Sequence, residues 1–482
     1  MNIKVISVNV GKALLVSALF MFLSVLVSLA NGMDSAFGAL SISCLITFVV
    51  GAFPFIFVRK TPSITMNDGY LIIFISWILS FIFGMLPYIL WGGEFTLVNA
   101  WYESVSGFTT TGSSIVRDLD ALPKSLLFWR SSTHFIGGLG VIVFLLLVLP
   151  EASPFRLKMT NLEISSLSKE GYRYRSSRTV WIICLVYIAL ALIETLALWA
   201  AGMSLFDAIN HSFSTVATGG FSTRNESIAF YDSRLIEFIV LFFMMISAMH
   251  FGVLFTFVTT GSVKVLRNPV VRFYFGTILV GTLLVSGSLY IHNGTESGAK
   301  TLLDSAFQVV SVISTTGLKS ADNSLWPPMA SMVLLCCALQ CGCSGSTTGG
   351  LKSDRILIAV KAAGCEVKRR LHPNSVFQVR VGNHLLSDTA VSSVLMYISV
   401  YLLLLVLASA TLIATGLGGP EAASVAVASL GNVGVNTLPG CCSFADLPVA
   451  AKLVSTLNMF LGRVEIYPVL IVFYMIFNPK AR

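Results

Sequence analysis

Ten apolar runs, each long enough to cross a bilayer, divide this chain of 482 residues and fix its class before any motif is considered. They fall at 12–30, 37–58, 69–91, 125–149, 178–201, 234–260, 272–291, 326–362, 390–416 and 447–477, and about 20 apolar residues suffice to span the hydrocarbon. Backbone N–H and C=O groups cannot be left to lipid, so such runs must be helices. Composition agrees: 55% of residues are hydrophobic and 11% charged, against about a quarter charged in soluble domains. The longest polar loops, about 30 residues, are too short for a soluble catalytic domain. The expected fold class is an all-α polytopic membrane protein with ten transmembrane helices. Lys4 and Lys12 before an apolar run ending in Ser-Leu-Ala-Asn-Gly resemble a signal peptide. A second apolar run follows within a few residues, and the first is read as an uncleaved span.

Four semi-polar stretches interrupt the apolar pattern: "SGFTTTGSS" from Ser106, "STVATGGFST" from Ser214, "SVISTTGLKS" from Ser311 and "ASLGNVGVNT" from Ala428. Aligned on Gly112, Gly220, Gly317 and Gly434, they match without gaps, and the glycines stand 108, 97 and 117 residues apart. Thirteen residues earlier come Asn99, Asp207, Asp304 and Glu421; two residues earlier come Thr110, Thr218, Thr315 and Asn432. One unit has been used four times. Asn and Asp favour N-caps, and Pro420 suits a first helical turn. A short helix is therefore expected to begin at each early position and end just before the Thr-Gly segment. Too short to span, it enters and leaves on one side. Irregular backbone at that depth is tolerated only inside protein or beside a watery cavity. Two N-terminal helices (1–62) would precede four pore repeats at 63–160, 161–264, 265–372 and 373–482, the third with a broken second helix.

Charge sets the orientation. Of 31 Lys and Arg, 22 fall with the termini on one side, in loops carrying Arg59 and Lys60, Arg156 to Arg178, Lys264 to Arg272, and Lys352 to Arg380. The positive-inside rule makes that side cytoplasmic, with both termini. Of 23 acidic residues, 14 lie opposite, which predicts an acid-rich vestibule that gathers cations. The net charge of +8 thus reflects loop bias and not a nucleic-acid partner.

Glycine reaches backbone conformations closed to other residues, and rings of closely spaced carbonyls can replace a cation's hydration shell. Candidate ion-binding residues are Thr110, Thr111 and Gly112; Thr218, Gly219 and Gly220; Thr315, Thr316 and Gly317; and Asn432, Val433 and Gly434. The competing reading, glycines that merely permit helix packing, suits one loop better than four in register.

Together with "HSFSTVATGGFST", "GCSGSTTGG", "KRRLHP" and "LGRVEIYP", these loops resemble the Trk/Ktr/HKT superfamily of potassium transporters, within it the bacterial Trk membrane subunit of the TrkH/TrkG type. The resemblance runs over nearly the whole chain, and ten spans fit that type better than the eight-span Ktr subunits. It implies potassium as the transported ion, a fourfold pseudosymmetric pore in each protomer, a homodimer, a cytosolic nucleotide-binding regulatory subunit and the bacterial inner membrane. The fourth loop departs from the others at Asn432-Val433, which implies asymmetric coordination.

The eighth run breaks at "GCSGSTTGG". Gly342, Gly345, Gly349 and Gly350 within nine residues cost a helix about 1 kcal/mol each. The resemblance implies an intramembrane gating loop here, with Ser346, Thr347 and Thr348; the alternative is a passive kink. Arg463 inside the tenth run is costly and by default functional. It is expected to face the conduction path, with pairing to Glu194 as the rival; Glu465, two residues on, is off its helical face. Cys44, Cys184, Cys336 and Cys337 sit in apolar runs, and only Cys441 and Cys442 look exposed, so no disulfide framework is expected. Cys336, Cys337, Cys341 and Cys343 lack the His or carboxylates of a metal site. His134, His211 and His250 read as packed or capping. No convergent catalytic set appears, so an enzyme is not expected. The alternative function is a sodium-coupled or sodium-permeating relative, against which stands a glycine in all four loops, where sodium-selective members often carry serine at the first.

Overall fold

The computed structural model describes residues 2–58, 65–148, 176–261, 267–293, 298–382, 384–438, 440–441 and 443–478. Two helices, α1 (Ile3–Ala30) and α2 (Phe37–Phe57), form a hairpin at the start. They close together where Gly11 meets Gly51, and a methyl on Gly51 would stand 3.2 Å from the Gly11 carbonyl oxygen. Next come α3 (Met66–Gly84) with its extension α4 (Leu86–Trp91), the short α5 (Leu97–Phe108) and α6 (Lys124–Val148). The same order then recurs as α7 (Ser176–Ala200), short α8 (Leu205–Val216), α9 (Arg234–Ser247) and α10 (Phe251–Thr260). A further set is α11 (Pro269–Asn293), α12 (Gly298–Ile313), α13 (Pro328–Gln340) and α14 (Ser353–Leu371). The last is α15 (Asp388–Ala414), short α16 (Gly419–Leu430), α17 (Val449–Val464) and α18 (Ile466–Phe477). A two-stranded ribbon, Arg380–Val381 against His384–Leu385, follows α14.

Among the described residues six helices are long and apolar enough to cross a membrane, or up to eight if each of two bent pairs is one span. Large apolar side chains stand outward along α7 and α15, Trp181, Leu185, Leu192 and Val406 among them. Such a surface suits lipid and would be untenable in water. This is a multi-pass membrane protein.

Three expectations need correction. The runs 234–260 and 447–477 are not straight spans: each is a pair of helices bent by 106°. The first break is tied into the Gly-rich loop, because Cys343 N donates to Ala248 O (2.9 Å) and Phe251 N to Gly345 O (3.1 Å). Backbone groups freed by a break in lipid need such partners, and hydropathy cannot see them. The second break falls at Glu465, with left-handed φ of 66°.

The short helices also begin earlier than expected. Thr96 and Ser204 are the N-caps, their side chains accepting from Asn99 N and Asp207 N. The Asn99, Asp207 and Glu421 column is thus the third helical position, and at the second helix Ser204 Oγ also donates to Asp207 Oδ2 (2.9 Å); Asp304 lies well inside α12. Finally, Cys336 is exposed and Cys441 half-buried, the described cysteines being free. Arg59, Lys60, Arg156, Lys158, Lys169, Arg173, Arg175, Lys264 and Cys442, and the expected boundaries at 62, 160 and 264, lie outside the described residues.

Candidate functional site

Each short helix ends four residues before its aligned glycine, at Phe108, Val216, Ile313 and Leu430. All four ends close in one way. Thr111 N donates to Ser106 O (3.0 Å), Gly219 N to Ser214 O (2.8 Å), Thr316 N to Ser311 O (2.9 Å) and Val433 N to Ala428 O (2.9 Å). This is the six-to-one closure that caps a helix with a left-handed residue. The left-handed residues are Thr110, Thr218, Thr315 and Asn432, with φ of 50°, 55°, 56° and 54°. Glycine is usual there, and a β-branched residue pays strain. The aligned glycines are left-handed too, with φ of 82°, 86°, 75° and 72°.

The four loops meet in a closed cycle. A methyl on Gly112 would overlap the carbonyl oxygen of Gly219; on Gly220, that of Thr316; on Gly434, that of Thr111. On Gly317 it would stand 2.5 Å from the Val433 carbonyl oxygen. Each glycine therefore lies against the residue that precedes the glycine of the next loop. Only hydrogen fits.

Buried polar side chains hold the ring from behind. Nine residues before the glycines stand Glu103, His211 and Gln308, each tying its short helix to the outgoing segment. Glu103 accepts from Ile115 N (3.0 Å), His211 Nε2 meets Ser222 Oγ (3.1 Å), and Gln308 donates to Ala321 O (3.2 Å). Glu103 also pairs with Arg130 at 2.7 Å, both fully buried. Arg130 in turn donates to Ser222 O (3.3 Å) and stacks 4.1 Å from the centre of the Phe221 ring, linking the first loop to the second. His134 bridges the same two loops: its Nε2 accepts from Phe221 N (3.1 Å), so its Nδ1 donates to Gly107 O (2.7 Å).

The loop at 341–352 passes beneath the short-helix ends. Thr347 Oγ1 donates to Val216 O (3.3 Å) and accepts from Thr218 Oγ1 (3.1 Å). A methyl on Gly349 would stand 2.6 Å from Asn432 Oδ1 and 2.7 Å from Gly431 O. The second and fourth loops are opposite members of the cycle, so residues 347–349 reach across between them. Ser346, Thr347, Thr348, Gly349 and Gly350 are all buried, while Gly342 and Gly345 pack on Ala248 O and the His250 ring. Arg463, buried at the end of α17, donates to Thr347 O and to Gly137 O (3.2 Å). Glu194 does not pair with it, and among the described residues no carboxylate does. Glu465 instead holds the far end of the loop, bonding Lys352 Nζ (2.8 Å) and Arg355 (2.9 Å).

On the other side, above the glycines, lies a recess of about 370 Å3 whose floor includes Gly112, Gly220, Gly317 and Gly434. Its charged lining is Arg117, Arg130, Arg224, Lys319 and Asp322, which corrects the expected acid-rich vestibule. Three acids of this face are spent on pairing: Asp446 with Arg117 (2.6 Å), and Asp120 and Asp207 with Arg224 (3.1 and 3.4 Å).

The family model for TrkH, a cation transport protein, matches residues 39–481. The chain belongs to the TrkH family. The Trk system potassium uptake protein TrkH of Halomonas elongata is 34% identical over 480 residues, 98% of each chain. That of Salmonella typhimurium is 34% identical over 418 residues, 86% of each. The crystal structure of the potassium transporter TrkH from Vibrio parahaemolyticus superposes with a TM-score of 0.90 at 31% identity, covering all of both chains.

In this TrkH-family chain the twelve ring residues named from sequence come together, and so do the loop residues and Arg463. Sequence reading passed over Glu103, Arg130, Arg355 and Lys319, counted Lys352 only as a loop charge, and weighed Glu465 only as a partner for Arg463. The first two carried the signal that singled out Arg463, an ionisable residue in an apolar context. Among the described residues no group of His, Cys, Asp and Glu could hold a metal.

Proposed function

We propose that this chain is the membrane subunit of a potassium uptake system, conducting K+ through the ring of four loops. The observation that carries the reading is the closed cycle in which every aligned glycine abuts the next loop's backbone carbonyl. Four carbonyl-bearing turns, held from behind and with glycine where each abuts the next, can replace the water around a dehydrated cation. The short-helix C-termini add partial negative charge toward the same place. Thr110–Gly112, Thr218–Gly220, Thr315–Gly317 and Asn432–Gly434 line the filter in this reading. Ten spans form the body, two before four repeats.

The loop from Gly342 to Gly350, with Arg463, is the gate. It reaches across beneath the ring and is fastened by contacts that a partner can release. A homodimer and a cytosolic nucleotide-binding regulatory subunit complete the system, in a bacterial inner membrane with both termini cytoplasmic. Potassium and sodium uptake measured side by side in a bacterium lacking its own potassium transporters tests this. Potassium-dependent growth rescue with little sodium entry is expected; sodium entry equal to potassium entry contradicts it and favours the sodium-permeating alternative.

A further inference from the structure

Two residues beyond the aligned glycines the loops carry Ser114, Ser222, Lys319 and Asn436. Three are small or neutral; the third is a cation. Two residues reach at most about 7 Å, so Lys319 begins close above Gly317. Its backbone is fixed there. Lys319 N donates to Ser227 Oγ (3.2 Å), and its carbonyl accepts from Ile228 N (3.1 Å) and Ala229 N (3.2 Å). The side chain lines the recess over the four glycines. Every other cation of that lining is paired: Arg117 with Asp446, Arg130 with Glu103, Arg224 with Asp120 and Asp207. Among the described residues the Lys319 ammonium has no ion pair within bonding distance; the residue is exposed to the recess, and the surrounding walls crowd its head group.

We propose that the Lys319 ammonium is a tethered cation in the outer recess that competes with external K+ for the approach to the ring and so sets the apparent affinity for K+. This rests on the ring being the ion path. A fixed like charge a few ångströms from an entering ion in a watery recess weakens its binding by roughly fivefold. The charge is also removable. Burial pushes the ammonium below its ordinary value, with Asp322 pulling the other way. As pH rises through that lowered value the charge is lost, so KM for K+ falls. Other groups facing the recess do not imitate this. Hydrogen bonds from Ser324 hold Asp322 below the usual carboxylate range, and burial pushes the Cys441 thiol up.

The test is K+ uptake against external K+ concentration, at pH 7 and at alkaline pH. Lys319→Ser, the residue of the first two loops, is expected to lower KM about fivefold at pH 7 and to flatten its pH dependence. Lys319→Arg keeps the high KM and loses the alkaline fall. A second arm works on folded protein: Lys319→Cys in a Cys441→Ser/Cys442→Ser background, treated from outside with a methanethiosulfonate that adds an ammonium or a neutral methyl. Only the ammonium should restore the high KM. If KM stays within twofold across the variants and both reagents while uptake continues, the inference is overturned and the pore reading stands. Equal loss of uptake with either reagent also overturns it, since bulk and not charge would then matter. If the unmodified protein takes up no K+, the pore reading fails and takes the inference with it.

Discussion

Two glycine-rich breaks meet near the middle of this protein and are held in opposite ways. The Thr-Gly turns occur four times, and each is locked by the backbone of its neighbour: Gly112 against Gly219, Gly220 against Thr316, Gly317 against Val433, Gly434 against Thr111. The loop at 341–352 occurs once, and beyond its backbone bonds to Ala248 and Phe251 it is held by side chains: Arg463 on Thr347, Glu465 on Lys352, and Asp354 accepting from Ser344 Oγ (2.6 Å). Steric closure among four equivalents leaves no alternative packing. A strap fastened by a few charged bonds has one. On the proposed reading, these two kinds of contact give rigidity where ions are chosen and releasability where they are stopped.

The most forceful way to break that contrast is to remove the strap. Deleting residues 345–349 is expected to raise K+ flux by roughly one to two orders of magnitude, with K+/Na+ selectivity kept and dependence on the cytosolic partner reduced. Flux into proteoliposomes checks it. A folded, inserted deletion that carries no K+ would make the loop scaffolding.

Arg463→Ala comes next. Its guanidinium bonds two backbone carbonyls and, among the described residues, no acid, so no described carboxylate neutralises its charge. At about 5 Å and an effective dielectric near 20, repulsion of a monovalent ion is on the order of 3 kcal/mol, up to roughly a hundredfold in rate, and less in a wet cavity. Faster flux per folded protein is expected, with a smaller change for Arg463→Lys. A slower and less stable Arg463→Ala protein would mean the residue only holds helices together.

Glu465→Gln sharpens the contrast at the loop's far end. It leaves Lys352 and Arg355, each at most 10% exposed, facing each other without their carboxylate. Removing one partner of a buried ion pair costs about 3–5 kcal/mol, so melting temperature should fall; flux should rise several-fold with selectivity intact. A fall in stability with unchanged flux would make the triad structural only.

The smallest effects separate the four filter turns from one another. Asn432 Nδ2 donates to Thr111 Oγ1 and to Met459 O, each at 2.9 Å, whereas Thr110 Oγ1 has no hydrogen-bond partner among the described residues. Asn432→Ala is expected to lose about 1–2 kcal/mol, and Thr110→Gly, which removes left-handed strain, to change stability by less than about 1 kcal/mol in either direction. Thermal unfolding of the pair measures the difference, and equal losses would remove the asymmetry assigned to the fourth loop.

Much of this design was legible in the sequence because repetition amplifies a weak signal. One Thr-Gly pair in an apolar run says little; four in register imply short helices that turn back, and the columns locate the ring. The left-handed threonines were not legible, since threonine gives no local sign of that conformation and only the helix-end closure selects it. Neither were the breaks at 248–250 and at Glu465, whose freed backbone groups and charge find partners about a hundred residues away. The vestibule was misread because counting acids by side ignores pairing: Asp120, Asp207 and Asp446 neutralise arginines and leave Lys319 over the ring.

The central claim is that the aligned glycines keep side chains out of a carbonyl ring that selects K+. The direct measurement is the K+/Na+ permeability ratio, from reversal potentials in proteoliposomes, for the unaltered chain and for Gly112→Ser, Gly434→Ser and Gly317→Ser. The account predicts a ratio well above one that collapses toward one in the first two, where the nearest carbonyl is in overlap. Gly317→Ser, with 2.5 Å to the Val433 oxygen, should fall least. An unchanged ratio in all three folded variants would contradict the account and place selection elsewhere.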